Sequence, residues 1–281
     1  MNVVHKEFDF PRPVSHSSLT DFEICMRKGY WSFLRKVKPV VKSPPLNFGG
    51  AVHAGVEVLA MKGSLVDAKK AALLEFDDAA ADWLRTLDLC FKILEAYYDK
   101  YKDDGLETIW TEKWLAAELA EGLVYVGKID RLVNHPGVGK FIMETKTQRT
   151  LKVEAFDPNH QIVGYYFLMS LLEDDIQGVY IDLVQVAKTK QELIRVPIIF
   201  RKGVVEDFIT SRVRIYERIL RALDRYPSEE FPMETSGCHY YKCPYIPLCR
   251  MPIPPSQLIP PKGLYKEDSW DIRTQTILKR G

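Results

Sequence analysis

The hydrophobic period of this chain switches at Asp103-Asp104-Gly105. Before it, Val66, Leu73, Phe76, Ala80, Trp83, Leu84 and Leu87 recur at helical spacing and predict one helix over 65–101. After it the pattern shortens, and 110–119, 123–133 and 141–146 read as strands. Asn134-His135-Pro136-Gly137-Val138-Gly139 is rich in turn formers, so the last two strands should close as a hairpin. Such a chain must combine helices with a sheet.

The flanking segments extend that reading. Thr20-Asp21-Phe22-Glu23 fits a capping box and predicts a helix running through Trp31 and Leu34, carrying Cys25 and ended by Pro39, Pro44 and Pro45. A short helix is expected over 48–61, stopped by Gly63. Asp157-Pro158-Asn159 opens a helix to about Leu172, followed by strands over 179–186 and 193–200 and a long amphipathic helix over 202–226. The Pro-, Cys- and Tyr-rich stretch 228–264 should be mostly loop. The order predicts an α/β fold, a central mixed sheet flanked by helices. Three parts are expected: a helical N-terminal part over 1–105, a sheet-centred core over 106–227, and a Cys-rich segment and tail over 228–281, folded as one integrated domain.

Composition narrows the class. The 281 residues can bury a substantial core, and 46% hydrophobic with 27% charged content is ordinary for a globular chain. A net charge of +1 gives no global basic field, although a local groove is enough to track phosphates. No apolar run reaches membrane-spanning length, and His5, Lys6, Glu7 and Asp9 interrupt anything like an export signal, so a cytoplasmic, membrane-free protein is expected. Its five cysteines are odd in number, which argues against a disulfide framework. Cys238, Cys243 and Cys249 fall within twelve residues and point to a metal or cluster site; Cys90, on a predicted amphipathic helix, is most simply a small core residue.

Asp130 interrupts a largely apolar strand, and Glu144 and Lys146 stand two apart on the next one, so both project from one face. An isolated E-x-K on a strand is equally an ion-pair ladder; an aspartate on the hairpin partner adds a second carboxylate. Two carboxylates and an ammonium on one patch of sheet suit phosphodiester hydrolysis. Oxygen ligands hold a divalent ion, and an amine positions or deprotonates the attacking water.

Gly127-Lys128-Ile129-Asp130, Glu144-Thr145-Lys146 and Gln161-Ile162-Val163-Gly164-Tyr165, preceded by Gly49-Gly50-Ala51-Val52-His53, resemble the G-x-x-D, E-x-K, Q-x-x-x-Y and G-x-x-x-H series of RecB-like and CRISPR-associated PD-(D/E)XK exonucleases. The resemblance spans roughly residues 15 to 250, with all motifs in order. It implies a restriction-endonuclease-like core and Mg²⁺- or Mn²⁺-dependent hydrolysis of DNA that has a free end or is single-stranded. By it, Asp130, Glu144 and Lys146 are catalytic, and His53, Asp130, Glu144 and the Thr145 carbonyl are metal ligands. Gln161 and Tyr165, four apart on a helix, contact DNA or brace the site. Glu57, one turn after His53, could join the metal site, though a surface helix glutamate is the better reading.

Cys25 before the core and Cys238, Cys243 and Cys249 after it resemble the layout of family members that carry a [4Fe–4S] cluster, with zinc as the competitor for four thiolates. Four residues rather than the family's two separate Cys238 from Cys243, which leaves His239 as an alternative ligand. A helicase, recombinase or CRISPR partner would follow from the same resemblance. The other function classes are a non-catalytic iron–sulfur adaptor that binds DNA and an endonuclease on the same core.

For nucleic-acid contacts, Lys128 and Arg149 flank the proposed site and are the better phosphate candidates. Arg35, Lys36, Lys38 and Lys42, beside Tyr30, Trp31 and Phe33, mix cations with aromatics as single-strand grooves do, or cover a helix end. Arg212, Arg214, Arg218, Arg221 and Arg225 recur at helical spacing and read as a solvated face.

Overall fold

A computed structural model describes residues 12–189, 191–226, 230–240, 242–268 and 277–278. In chain order the elements begin with β1 (Val14–Ser15) and α1 (His16–Ile24). The capping box that starts α1 is Ser15 with Ser18, not the later Thr20–Glu23 set, because Ser15 is the residue with extended backbone just outside the helix. The expected continuous helix is also interrupted. Cys25 is extended, α2 (Met26–Gly29) restarts after it, and Tyr30–Leu34 forms a π-helical turn. A strand β2 (Val37–Pro39) follows.

Pro44 and Pro45 open α3 (Pro44–Ala60) rather than ending its predecessor, since a missing N–H costs nothing in a first turn. The expected helix over 65–101 is two, α4 (Leu65–Glu75) and α5 (Leu87–Tyr101). Between them local side-chain bonds outcompete the helix. Asp77 caps a short 3₁₀ turn, Asp82 Oδ1 accepts the N–H groups of Leu84 at 2.9 Å and Arg85 at 2.6 Å, and Thr86 caps α5. Trp83, Val66 and Leu73, read as part of one apolar stripe, are accordingly exposed.

Next come β3 (Glu107–Ala120), β4 (Leu123–His135), β5 (Gly139–Gln148), α6 (His160–Ser170), β6 (Ile176–Gln185), β7 (Leu193–Ile198) and α7 (Val204–Asp224). The Cys-rich stretch holds only the short α8 (Thr235–Tyr240) and α9 (Ile246–Cys249), then β8 (Tyr265–Glu267) and β9 (Ile277–Leu278).

The chain divides into two compact units. One comprises Val41–Trp114 and Lys128–Val204. Within it β4 and β5 form the expected antiparallel hairpin, β6 runs parallel to β5, and β7 is antiparallel to β6, which makes the sheet mixed. Helices α3, α4 and α5 pack together over Phe48, Val52, Val56, Leu89, Ile93 and Leu94, with Val184 and Leu193 of the sheet in the same core. Gly55 lets α3 and α5 approach, since a Cβ there would sit 2.5 Å from the Leu94 side chain. This is the α/β class that the period switch predicts.

The other unit comprises the described residues up to Val40, Leu115–Gly127 and those from Val205 onward. In it β1 pairs in parallel with Tyr125–Val126, β2 with β8, and β9 with Ala116–Ala117. Its core stacks Tyr30 on Phe231 at 5.1 Å and sets Phe22 edge-on to Phe33 at 6.0 Å. Arg212 departs from the solvated face expected for α7: it is fully buried, with Nη1 3.3 Å from Glu23 Oε2. No helix among the described residues is long and apolar enough to cross a membrane.

Candidate functional site

The β4–β5 hairpin pairs Arg131 with Met143 and Leu132 with Ile142. One step further along this register, Asp130 meets the Glu144–Thr145 step, and its Oδ2 accepts the Thr145 N–H at 2.9 Å. Glu144 and Thr145 are buried. Lys146 Nζ lies 2.5 Å from Glu144 Oε1 and donates to Gln161 Oε1 at 2.9 Å. Gln161 in turn donates from Nε2 to Glu144 Oε1 at 3.2 Å and to Tyr165 Oη at 2.9 Å. Asn159 caps α6 by accepting the Gln161 N–H at 2.9 Å, which fixes where that side chain starts. The two acids, the lysine, the glutamine and the tyrosine form one connected group.

His53 joins from α3, its Nδ1 3.3 Å from Asp130 Oδ2. Gly49, one turn earlier, faces Thr147 of β5, with 3.3 Å between a hypothetical Cβ and Oγ1, so any larger residue would need the Thr147 side chain to give way slightly. Glu112 of β3 completes a set that sequence reading missed: ligand atoms of His53, Glu112 and Asp130 lie within 4.8 Å of one another and could hold a cation. Glu112 has φ of +52°, a conformation costly for a non-glycine residue and seen where a site constrains the backbone. Nothing in a Thr-Glu-Lys run within a strand signals this, because the turn of its backbone is a tertiary property.

The remaining candidates divide. Lys128 is held by Glu112 in an ion pair. Glu57 lies outside the three-residue set and accepts the Thr111 hydroxyl at 3.0 Å. Arg149 lies beyond the strand, against the ring of Trp83 at 5.7 Å. Of the basic cluster near Tyr30, Lys38 pairs with Asp268 at 2.6 Å and Lys42 with Glu75 at 2.7 Å, so their charges are already answered.

The electrostatics fit a cation. Burial, and then the Asp130 charge, raise the Glu144 pKa to about 8, with Lys146 opposing. Burial lowers the His53 pKa and Lys146 lowers it further against the pull of Asp130, which favours the neutral, ligating imidazole. Burial works against the Lys146 charge, but Glu144 and Asp130 more than offset it and raise its pKa. Glu144 Oε2 is buried with no hydrogen-bond partner. A lone pair left so is what a divalent ion would satisfy.

In the other unit, Cys25, Cys238, Cys243 and Cys249 are free thiols. Glu234 links the first two: its N–H donates to Cys25 Sγ at 3.3 Å, and its carbonyl accepts from Cys238 Sγ at 3.7 Å. The Cys243 N–H donates to the Cys238 carbonyl at 2.9 Å. Burial raises the pKa of both Cys243 and Cys249; nearby Lys28 lowers the first and Arg27 the second, while each also feels Cys25. Tyr265 Oη donates to the Pro244 carbonyl and Tyr245 Oη to the Val37 carbonyl, both at 2.7 Å, which anchors the loop between Cys243 and Cys249. Among the described residues no three cysteine sulfurs close to the 4.8 Å spacing of the His53 set. Cys90 is fully buried in the helical core, where burial pushes its pKa up to about 12.

No family model matches the sequence. No curated protein matches it either. Among solved structures, the chain is similar to a "putative exonuclease" from Eubacterium rectale, at 16% identity over 79% of this chain and 86% of that one, with a TM-score of 0.49. It is also similar to SSO0001, at 16% identity over 75% of this chain and 85% of that one, with a TM-score of 0.34.

Proposed function

We propose that this chain is a metal-dependent DNA exonuclease of the PD-(D/E)XK type, built on a restriction-endonuclease-like core and stabilised by a [4Fe–4S] cluster. The observation that carries the reading is the convergence of Asp130, Glu144, Lys146 and His53, with one buried oxygen of Glu144 unpartnered. Without a divalent ion this buried acid is neutralised by a proton instead, so a metal site there is one that metal and proton compete for.

His53, Asp130, Glu144 and the Thr145 carbonyl would hold Mg²⁺ or Mn²⁺, with Glu112 as a further ligand beside His53 and Asp130. The ion, when bound, supplies an acidified water and charge neutralisation at the scissile phosphate. The chain's own residues do the rest. Lys146, held by Glu144 and Gln161, keeps its ammonium at the site and orients the attacking water. Gln161 and Tyr165 fix that ammonium's direction from α6. Lys128 and Arg149 are the phosphate contacts, Lys128 once released from Glu112.

Cys25, Cys238, Cys243 and Cys249 would hold the cluster. Four thiolates in this layout suit a cubane, with zinc as the competing occupant. The test of function is digestion of linear, circular and end-blocked DNA with and without Mg²⁺ or Mn²⁺. Loss of linear DNA that needs metal and a free end is expected. Asp130→Ala protein that still degrades DNA would sink the mechanism.

A further inference from the structure

Trp83 is the most exposed tryptophan among the described residues, with 66% of its surface in water. The turn that carries it is held by local bonds. Asp82 ties the turn by accepting from the N–H groups of Leu84 and Arg85 and pairs with the Arg85 guanidinium at 2.7 Å, while Leu84 is buried beneath. Two cations stand against the indole: Lys188 Nζ is 4.8 Å and the Arg149 guanidinium carbon 5.7 Å from its ring centroid. Both cations are exposed, and both follow the ends of the parallel strands β5 and β6. Those ends are tied by the Val186 N–H donating to the Gln148 carbonyl at 2.7 Å. The C-terminal end of parallel strands is where α/β sheets take ligands. Lys146 is three residues before Arg149 on the same strand path, about 10 Å at extended spacing.

One exposed tryptophan needs no explanation by itself; what distinguishes Trp83 is that Arg149 and Lys188 both lie over its ring while most of its surface stays in water. An aromatic plane beside two cations matches a nucleotide chemically: the base stacks on the ring and the flanking phosphates meet the cations. We infer that Trp83, Arg149 and Lys188 form a stacking platform for single-stranded DNA that leads its strand toward Lys146. Duplex DNA keeps its bases stacked on one another and cannot use such a ring. The inference rests on the nuclease reading only for the strand's destination; the platform itself is a binding site and is tested as one.

The experiment measures anisotropy of a labelled oligo-dT with the full chain in EDTA, so that cleavage does not intervene. Trp83→Leu should weaken binding about tenfold, the loss of one base stack, and Trp83→Phe should retain most of it. Wild-type tryptophan emission should be quenched by the oligonucleotide, with the quenched part absent in Trp83→Phe. Arg149→Gln and Lys188→Gln should flatten the salt dependence. Unchanged affinity in Trp83→Leu, absence of oligo-dT binding by the wild type, or equal binding of a duplex would overturn the platform; a partner protein would then be the occupant of this face. Cleavage by the Asp130→Ala protein, measured separately with metal, tests the nuclease reading and leaves the binding result standing.

Discussion

Lys146 and Glu144, two residues apart on β5, share an ion pair of 2.5 Å through Glu144 Oε1, while Glu144 Oε2 is buried with no partner. The lysine therefore answers one oxygen of a buried acid, and burial of the group raises its pKa.

Replacing Lys146 with Ala should lower the DNA cleavage rate by roughly 10²-fold or more, the scale of losing a positioned proton-transfer group. Mn²⁺ affinity, read by calorimetry, should change far less if the proposed ligand set, which omits the lysine, holds the ion. Equal losses in rate and metal affinity would place Lys146 in the metal-holding set instead.

Glu144 makes the metal-free protein's stability depend on pH. Its pKa rises from 4.5 to about 8 on folding, so between these values the folded chain holds a proton that the unfolded chain has released. This contribution is complete below the ordinary carboxylate pKa and fades as pH rises through about 8, with a slope of up to ~1.4 kcal/mol per pH unit. Urea titrations in EDTA should show the decline, and Glu144→Gln should flatten it. Added Mg²⁺ should stabilise most at the alkaline end, where no proton competes. A metal-free profile identical in wild type and Glu144→Gln would contradict the assignment.

Glu112→Gln should weaken divalent-ion binding while leaving the fold intact, because it removes one charged ligand atom from the set shared with His53 and Asp130. It should also free Lys128 from its ion pair. Competition with a metal indicator dye measures the first effect. An unaltered dissociation constant would show that Glu112 serves only to hold Lys128.

Protein purified without oxygen should be brown and should carry iron and sulfide. Cys243→Ser should bleach it and lower the melting temperature, whereas Cys90→Ala, deep in a helical core, should keep the colour. Stoichiometric zinc in a colourless preparation would replace the cluster without touching the nuclease reading.

Asp182 is fully buried and accepts from Tyr97 and, at 3.2 Å, from Arg131, with Arg195 at 3.4 Å. Asp182→Ala strands buried cations and should cost ~3–5 kcal/mol in urea unfolding. A change within ~0.5 kcal/mol, ordinary for a surface position, would mean water replaces the carboxylate.

The local geometry of the site is legible in the residues alone. Alternation placed Glu144 and Lys146 on one face of a strand, the Asn134–Gly139 run marked the hairpin that brings Asp130 opposite, and four-residue spacing aligned Gln161 with Tyr165. These follow from backbone periods of two and 3.6, which any stretch of chain carries within itself. Long-range packing supplies the remainder. It broke the apolar stripe of 65–101 at Asp77 and Asp82, buried Arg212 on Glu23, and turned Glu112 through a positive φ toward His53 and Asp130. Each of these depends on partners tens of residues away or on a backbone geometry that only the packed chain sustains, so no window of sequence contains it.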